Sequence, residues 1–267
     1  MNPEAWLDEA LSAAGLDSVE GAFAYAGGTD LTKPALGGRR RTRIELTDPA
    51  GRPYVVYLKR YEAEGLIRRW RRRWTYGSRA GPASVEADNI RRLRAAGVPT
   101  MQVLRIGQQR EGRGFLVTSA VPGEALERCA GEYLSRGGEP AGAALAGRLA
   151  ELVARLHQAG YAHRDLYASH VFLDDSPHGP SLYLIDLARV FVPRWRRFRW
   201  WAKDLAALKF SMPPAWVERH WEAFLRAYLS HRGVAAAARY NRRVDRKARA
   251  MARRQGRKQA TGARNDA

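Results

Sequence analysis

The stretch HRDLYASH at 163–170 determines the fold that the sequence predicts. It follows a segment in which leucines recur at i, i+4, i+7 and i+11, the spacing of one apolar helix face. These residues are Leu145, Leu149, Leu152 and Leu156. Two short apolar strands are predicted after it, at 171–173 and 182–187. The pattern therefore places Asp165 in a loop between a helix and a strand, and Asp186 at a strand end.

Two carboxylates in these positions suit phosphoryl transfer from ATP. That reaction needs one carboxylate to orient the attacking hydroxyl and accept its proton. It also needs oxygen ligands for magnesium. Kinases carry these groups in an H-R-D-L-x-x-x-N loop and a D-F-G turn, which Asp165 and Asp186 match. A His-Arg-Asp tripeptide alone occurs by chance, so the flanking helix and strands are what favour the catalytic interpretation.

The upstream half offers a lysine and a glutamate of the type that holds ATP phosphates. Lys59 ends a predicted strand at 54–59, and a helix is predicted from Ser84 to about residue 96. Glu86 shares a face of that helix with the apolar residues Ile90 and Leu93. A carboxylate on an apolar face needs a partner, and Lys59 is the expected one. The alternative is that Glu86 lies exposed in the first helical turn, where the helix dipole favours an acid.

The nucleotide-binding backbone is harder to identify. Gly37 and Gly38 precede a predicted strand and are candidates for the phosphate-covering loop, but G-x-G-x-x-G is absent. A glycine pair is also a common turn. Adenine is expected against the hinge at 118–121, with Ser119 and Val121 as candidate backbone contacts.

The positive charge is concentrated in four patches. The formal net charge is +19, and residues 39–43, 68–79, 194–203 and 239–258 carry +4, +6, +5 and +9, which leaves −5 for the rest of the chain. Patches of this kind predict an anionic partner. Tryptophans among the arginines suit an anionic membrane surface and also stacking on nucleobases. No apolar face is discernible beyond Gly233, and a solubilising terminus is the alternative interpretation of the last patch.

Cysteine content and hydropathy indicate the cellular compartment in which we expect the protein. The single cysteine, Cys129, excludes a disulfide framework and fits a reducing compartment. No stretch approaches the roughly 18 apolar residues of a membrane span, and no secretion signal is recognisable at the N-terminus. We therefore expect a cytoplasmic protein.

Several motifs together resemble the WaaP/Kdo family of lipopolysaccharide core kinases. They are YLKRY at 57–61, RRWRRRW at 68–74, EADNIRRLRAAGVPT at 86–100, HRDLYASHVFL at 163–173, LIDLARV at 184–190 and RWWAKDLAALKFS at 199–211. The resemblance implies an α+β, protein-kinase-like fold with a small β-rich N-lobe and a larger helical C-lobe. It also implies ATP- and Mg²⁺-dependent phosphorylation of a heptose or Kdo hydroxyl on a glycolipid acceptor, at the inner face of the cytoplasmic membrane.

The resemblance also implies residue roles. Asp165 would be the catalytic base, Asp186 a magnesium ligand, Lys59 a phosphate ligand and Glu86 its partner. His170 stands where kinases have the asparagine that holds a second magnesium. Magnesium prefers oxygen, so His170 is either a metal neighbour or a structural hydrogen-bonding residue.

The region after Asp186 differs from that of protein kinases. Only 17 residues separate Asp186 from Asp204, and no A-P-E sequence lies between them. This brevity favours a small-molecule or glycan acceptor over a peptide. Asp204 is expected to brace the catalytic loop through backbone hydrogen bonds.

The expected organisation is an ATP-binding N-lobe at 1–120, a helical C-lobe at 121–233 and a basic tail at 234–267. No protein partner is evident. Two alternatives stay open: a kinase-like protein that binds or acts on nucleic acid or another small molecule, and a non-catalytic pseudokinase.

Overall fold

The computed structural model describes residues 5–31, 39–65, 67, 70, 74–75, 81–176, 179–235 and 237–265, without the side chains of residues 237 and 258–265. Its contacts divide the chain into two units. The N-unit comprises the described residues up to Ala95 together with Thr100–Val121. The C-unit comprises Ala96–Pro99 and the described residues from Pro122 onward.

The N-unit is built on an antiparallel five-stranded sheet in the order β1-β2-β3-β5-β4. Its strands are β1 (Thr29–Asp30), β2 (Arg39–Thr47), β3 (Pro53–Tyr61), β4 (Val103–Gln108) and β5 (Gly114–Ser119). Its helices are α1 (Ala5–Ala13), α2 (Val19–Ala24) and α3 (Pro82–Ala95). The β2–β3 turn is closed by Asp48, whose carboxylate accepts the N–H groups of Ala50 at 2.9 Å and Arg52 at 2.8 Å.

Alternation along β3 gives the strand two different faces. Val56 and Leu58 lie in a buried apolar cluster with residues of α1, α2 and β5. Lys59 and Tyr61 project to the opposite face, where both contact Glu86 of α3. The pleat of one strand thus separates the core of the N-unit from its charged cluster.

The C-unit is mainly helical. It contains a small sheet, β6 (Glu124–Ala125), β7 (Val171–Ser176) and β8 (Gly179–Leu184), in the order β6-β7-β8. Its α-helices are α4 (Leu126–Gln158), α5 (Arg197–Ser211), α6 (Pro214–His231) and α7 (Ala237–Asn265). Short 3₁₀ turns lie at Ala168–His170 and Leu187–Arg189. Helix α4 is broken at Gly138, which has φ 58° and ψ −147°.

The two predicted amphipathic helices form the core of this unit. The leucine face of α4 is buried as expected, and it packs against α6. On α6, Trp221, Phe224 and Tyr228 are buried as predicted, whereas Val217 is partly exposed and Trp216 takes the buried place beside them.

The expectation that the segment after Gly233 has no apolar face is wrong. Tyr240 and Val244 of α7 are buried, and α7 packs on α5. The ring of Tyr240 meets Phe198 edge to face at 4.8 Å, and Asp245 pairs with Lys209 at 2.7 Å. One buried position per helical turn was enough to dock the helix.

Among the described residues, no helix combines the length and the apolar character that crossing a bilayer requires.

Candidate active site

The N-unit contributes a buried ion pair. Lys59 Nζ donates to Glu86 Oε1, and the Glu86 side chain is fully buried while that of Lys59 is 11% exposed. The expected pairing is confirmed, and the alternative of an exposed Glu86 is excluded. Such a pair fixes the lysine ammonium at one point of the strand, as phosphate binding requires.

Tyr61 is a third member of this cluster that sequence reasoning missed. Its hydroxyl donates to Glu86 Oε2, so both oxygens of the buried carboxylate have a donor. The available signal was strand periodicity, because Tyr61 lies two residues after Lys59 and so shares its face. Arg39 stacks its guanidinium over the Tyr61 ring at 5.8 Å.

The hinge segment uses part of its backbone internally. Ser119 N–H donates to Gln102 O at 3.0 Å, and Ala120 N–H donates to Val55 O at 3.0 Å. Ser119 Oγ also accepts from Gln102 N–H at 2.9 Å. An adenine at this segment would therefore use carbonyl groups or the N–H of Val121. The other nucleotide candidates, Gly37 and Gly38, lie outside the described residues.

In the C-unit, Asp204 holds the catalytic loop. Its buried carboxylate accepts His163 N–H at 2.7 Å and Arg164 N–H at 2.8 Å. This confirms the bracing role expected for Asp204. Arg164 adopts φ 74°, a conformation that costs a non-glycine residue free energy and persists only where neighbours enforce it. The loop is thus held in one shape immediately before Asp165.

Two buried histidines complete the support of the loop. His163 Nε2 bonds to Ile185 O at 3.0 Å, and His157 lies between Tyr228 OH at 2.9 Å and Asp204 at 3.4 Å. Burial lowers the pKa of both histidines below the ordinary value. Both rings are therefore neutral at pH 7, and each joins the loop to another element of the C-unit.

The carboxylate of Asp165 is oriented by a residue that sequence reasoning also missed. Arg189 Nη1 lies 3.0 Å from Asp165 Oδ1 and 2.8 Å from Oδ2. Lys203 Nζ donates to the carbonyl of Arg164, and burial is the main cause that lowers the Lys203 pKa. Arg189 lies on the 3₁₀ turn after Asp186, so no periodic pattern could have identified it.

His170 and Asp186 lie together. His170 Nδ1 is 2.8 Å from the Asp165 carbonyl, which can only accept, so Nδ1 carries a proton. His170 Nε2 faces Asp186 Oδ2 at 3.6 Å. An imidazole nitrogen and a carboxylate oxygen therefore lie side by side next to the loop that carries Asp165. Asp186 itself has φ 57°.

These two residues do not form a complete metal site by themselves. Across the described ranges, no group of three or more His, Cys, Asp or Glu side chains could hold an ion. Magnesium in kinases takes most of its ligands from nucleotide phosphates and water, with only one or two carboxylates from the protein. One carboxylate beside an imidazole therefore fits the protein's share of a nucleotide-bound magnesium site.

Comparisons with known proteins agree with this geometry. The sequence model of the "Lipopolysaccharide kinase (Kdo/WaaP) family" matches residues 35–228. "Lipopolysaccharide core heptose(I) kinase WaaP" of Pseudomonas aeruginosa is 34% identical over 186 residues, 66% of this chain and 68% of that protein. The solved structure "WaaP in complex with acyl carrier protein" aligns with a TM-score of 0.63 at 30% identity, over 86% of this chain and 91% of that one.

The structural alignment confirms the expected α+β kinase-like fold. The family match extends over parts of both units and includes every predicted site residue. On these findings the chain belongs to the lipopolysaccharide kinase (Kdo/WaaP) family.

Proposed function

We propose that this chain transfers the γ-phosphate of ATP to a sugar hydroxyl, a heptose or Kdo, in the inner core of lipopolysaccharide. The observation that carries the proposal is the catalytic loop of the C-unit, in which the buried Asp204 carboxylate accepts two loop N–H groups just before Asp165. Family membership supplies the reaction class, a kinase with a hydroxyl acceptor that uses ATP.

Asp165 is the proposed base. Its carboxylate would accept the proton of the sugar hydroxyl as that oxygen attacks the γ-phosphorus. The contact with Arg189 fixes the direction of both carboxylate oxygens, so Arg189 is a positioning residue. A hydroxyl acceptor must approach a carboxylate that is already oriented, which lowers the entropic cost of the attack.

Lys59 is the proposed phosphate ligand in the N-unit. Because Glu86 and Tyr61 hold the ammonium and its counter-charge in place, Lys59 would meet the ATP phosphates without losing side-chain entropy. Ser119 and Val121 remain the candidates for backbone contacts to adenine.

Asp186 and His170 would hold Mg²⁺ together with nucleotide phosphates. The ion when bound neutralises charge on the transferring phosphoryl group. The Asp186 oxygen is the ligand that magnesium prefers, and His170 would lie beside the ion or bond to its water. The hydrogen bond from His170 Nδ1 to the Asp165 carbonyl ties this side chain to the loop that carries the proposed base.

The acceptor assignment rests on the named relative, a heptose(I) kinase of the lipopolysaccharide core. Because this acceptor is anchored in lipid, we propose that the protein acts at the inner face of the cytoplasmic membrane. Exposed tryptophans support this, because Trp70, Trp74 and Trp195 are 63%, 69% and 79% exposed, and such rings favour headgroup depth. Salt-sensitive sedimentation with anionic vesicles measures this association.

A protein partner is also proposed, since the similar solved structure is that of WaaP with acyl carrier protein. Co-elution of this chain with acyl carrier protein in gel filtration tests for a corresponding complex.

The function is tested with Asp165→Asn and Asp165→Ala. Phosphate transfer from γ-labelled ATP to purified core glycolipid should fall by about 10²–10⁴-fold, the usual contribution of a general base, while the far-UV circular dichroism stays unchanged. Asp175→Asn is the matched control, because Asp175 lies on β7 and pairs with Arg136 at the surface. Unchanged turnover in the Asp165 variants would refute the assignment. A wild-type chain that transfers no phosphate would favour the pseudokinase alternative.

A further inference from the structure

A cationic cleft lies on the C-unit between the start of α5 and the first turns of α7. It has a volume of about 630 Å³. Six arginines line it: Arg196, Arg199, Arg239, Arg242, Arg243 and Arg246. We call it the arginine cleft. None of these residues belongs to the catalytic loop or to the lysine cluster described above.

Aromatic contacts order the arginines of the cleft. Phe198 also lines the cleft. The guanidinium groups of Arg239 and Arg243 lie over its ring, at 4.5 Å and 5.8 Å from the ring centroid. Tyr240 contacts the same ring edge to face, with 4.8 Å between the ring centroids. Cation–π contacts of this kind hold guanidinium groups in place without neutralising them. Aromatic contacts therefore hold two of the charged guanidinium groups in fixed positions along the cleft.

The positive charge of the cleft is not compensated by the residues that line it. No carboxylate is among those lining residues in the described part of the chain. Asp245 is the acidic residue of α7, and it pairs with Lys209. The Arg243 Nε is buried with no hydrogen-bond partner among described residues. The pKa of the neighbouring Lys247 is lowered by burial and then by the cations Arg243 and Arg199.

Spacing along α7 adds to the repulsion. Residues 239, 242, 243 and 246 fall at i, i+3, i+4 and i+7, so their guanidinium groups share one helix face. Like charges at these spacings destabilise a helix. A bound polyanion would remove that repulsion.

The cleft is connected to the catalytic loop through α5. Arg199 lies one helical turn before Lys203, whose ammonium donates to the Arg164 carbonyl. Lys203 interacts electrostatically with Asp165 on one side and with Lys247 on the other. One turn of α5 thus separates a residue that lines the cleft from a residue that contacts the catalytic loop.

We propose that the arginine cleft binds phosphomonoester groups already present on the acceptor glycolipid, and so positions its sugar for Asp165. This inference rests on the proposed function. Guanidinium forks match phosphate oxygens in pairs, and several around one cleft suit a ligand with clustered phosphates. The volume of about 630 Å³ lies within the range of small-molecule binding sites.

A second arginine surface further along α7 provides a matched control. It is lined by Arg246, Arg249, Ala250, Arg253, Arg254 and Arg257. All of these belong to one helix, and no aromatic ring is among the lining residues described. This distal stripe suits diffuse attraction to a membrane, whereas the cleft has walls from two helices.

The test compares Arg239→Gln/Arg242→Gln in the cleft with Arg253→Gln/Arg254→Gln in the distal stripe. All four side chains are exposed, and both variants lose the same charge. The probe is lipopolysaccharide core freed of its acyl chains, which is water-soluble and keeps its sugar phosphates. Its affinity is measured by calorimetry without ATP, before and after phosphatase treatment.

The cleft variant should bind the phosphorylated probe at least about tenfold more weakly than wild type, since one guanidinium–phosphate contact is worth about a factor of ten. The distal variant should match wild type, and all three proteins should bind the phosphatase-treated probe alike. Equal weakening by both variants, or unchanged binding by the cleft variant, would overturn the proposal.

Two further arms separate the sources of phosphate. Both variants should lose affinity for phosphatidic acid vesicles to the same extent. If only the cleft variant bound vesicles more weakly, and its affinity for the soluble probe were unchanged, the cleft would be a site for membrane lipid and the proposal would be overturned. A loss confined to single-stranded RNA would do the same in favour of nucleic acid. Failure of wild type to phosphorylate intact core glycolipid would instead refute the proposed function, and with it the acceptor identity.

Discussion

The buried pair of Lys59 and Glu86 allows stability and nucleotide binding to be separated in one experiment. The perturbation is a double-mutant cycle with Lys59→Met, Glu86→Gln and both together. Methionine keeps the length of the lysine side chain without its charge. Glutamine keeps an oxygen that can accept from Tyr61, so the tyrosine hydroxyl is not left unpaired.

The expected magnitude follows from burial. Glu86 is fully buried and the Lys59 side chain is 11% exposed, so either single change leaves an uncompensated charge in a low-dielectric site. Each single variant should lose about 3 kcal/mol of unfolding free energy. The double variant should also lose about 3 kcal/mol, where additive effects would give about 6 kcal/mol.

Urea unfolding of the full chain followed by far-UV circular dichroism measures these values. Because two units can unfold separately, hydrogen exchange of the β3 peptide reports the N-unit alone. Calorimetric titration with ATP gives the second readout. All three variants should lose ATP affinity, although the double variant is no less stable than either single variant.

Asp88 and Arg91 on the same helix form the control pair. Their contact is 3.8 Å long and both side chains are at least half exposed, so their coupling should stay below about 0.5 kcal/mol. Additive costs in the Lys59–Glu86 cycle would refute the argument from burial. Wild-type ATP affinity in Lys59→Met would refute the proposed phosphate contact.

Two other predictions concern the C-unit. Asp204→Asn replaces one acceptor oxygen with a donor that faces the N–H of His163 or Arg164, so the free energy of unfolding should fall by about 3 kcal/mol. Turnover should fall by a larger factor than ATP affinity. Unfolding experiments and steady-state kinetics on the same variant measure both effects. A stable variant with normal turnover would contradict the bracing role. The unfolding free energy should also fall as the pH drops below about 6.5, by up to about 1.4 kcal/mol per pH unit for each of His157 and His163. The sign follows because burial lowers the folded-state pKa of both, so the unfolded chain binds the extra protons. His157→Gln should halve the slope between pH 6.5 and 5, and a flat profile in wild type would exclude buried neutral rings.

The sequence predicted the site best where periodicity and chemical cost coincide. Glu86 on the apolar face of a helix needed a cation, and Lys59 at a strand end was the available partner, as observed. Asp204 was predicted differently, from the RWWAKDLAALKFS stretch that carries the family resemblance, and its contacts with the loop N–H groups match that expectation. The kinase-like fold class came from the family resemblance of several motifs in the same order along the chain, and the structural alignment agrees with it.

Other contacts left no periodic signal. Arg189 orients Asp165 from a 3₁₀ turn, and a single arginine among many at the surface carries no pattern. Tyr240 and Val244 dock α7, yet two apolar residues among so many cations do not form a recognisable stripe. Tertiary packing decided these cases, because the two ring contacts of Tyr240 and the ion pair of Asp245 dock α7 although its apolar face is narrow.

Helix α5 also fixes the distance between the arginine cleft and the residue that contacts the catalytic loop. Arg199 at the arginine cleft and Lys203 at the catalytic loop are four residues apart on the same helix, so the helical rise separates them by about 6 Å along its axis. On the proposed function, this fixed spacing between a phosphate anchor and a residue that holds the catalytic loop would limit how far the acceptor phosphate can lie from the reacting sugar. Among the many similar hydroxyls of a saccharide, it would choose by distance from the phosphate already present, and a related kinase could change its product by shifting an arginine by one turn.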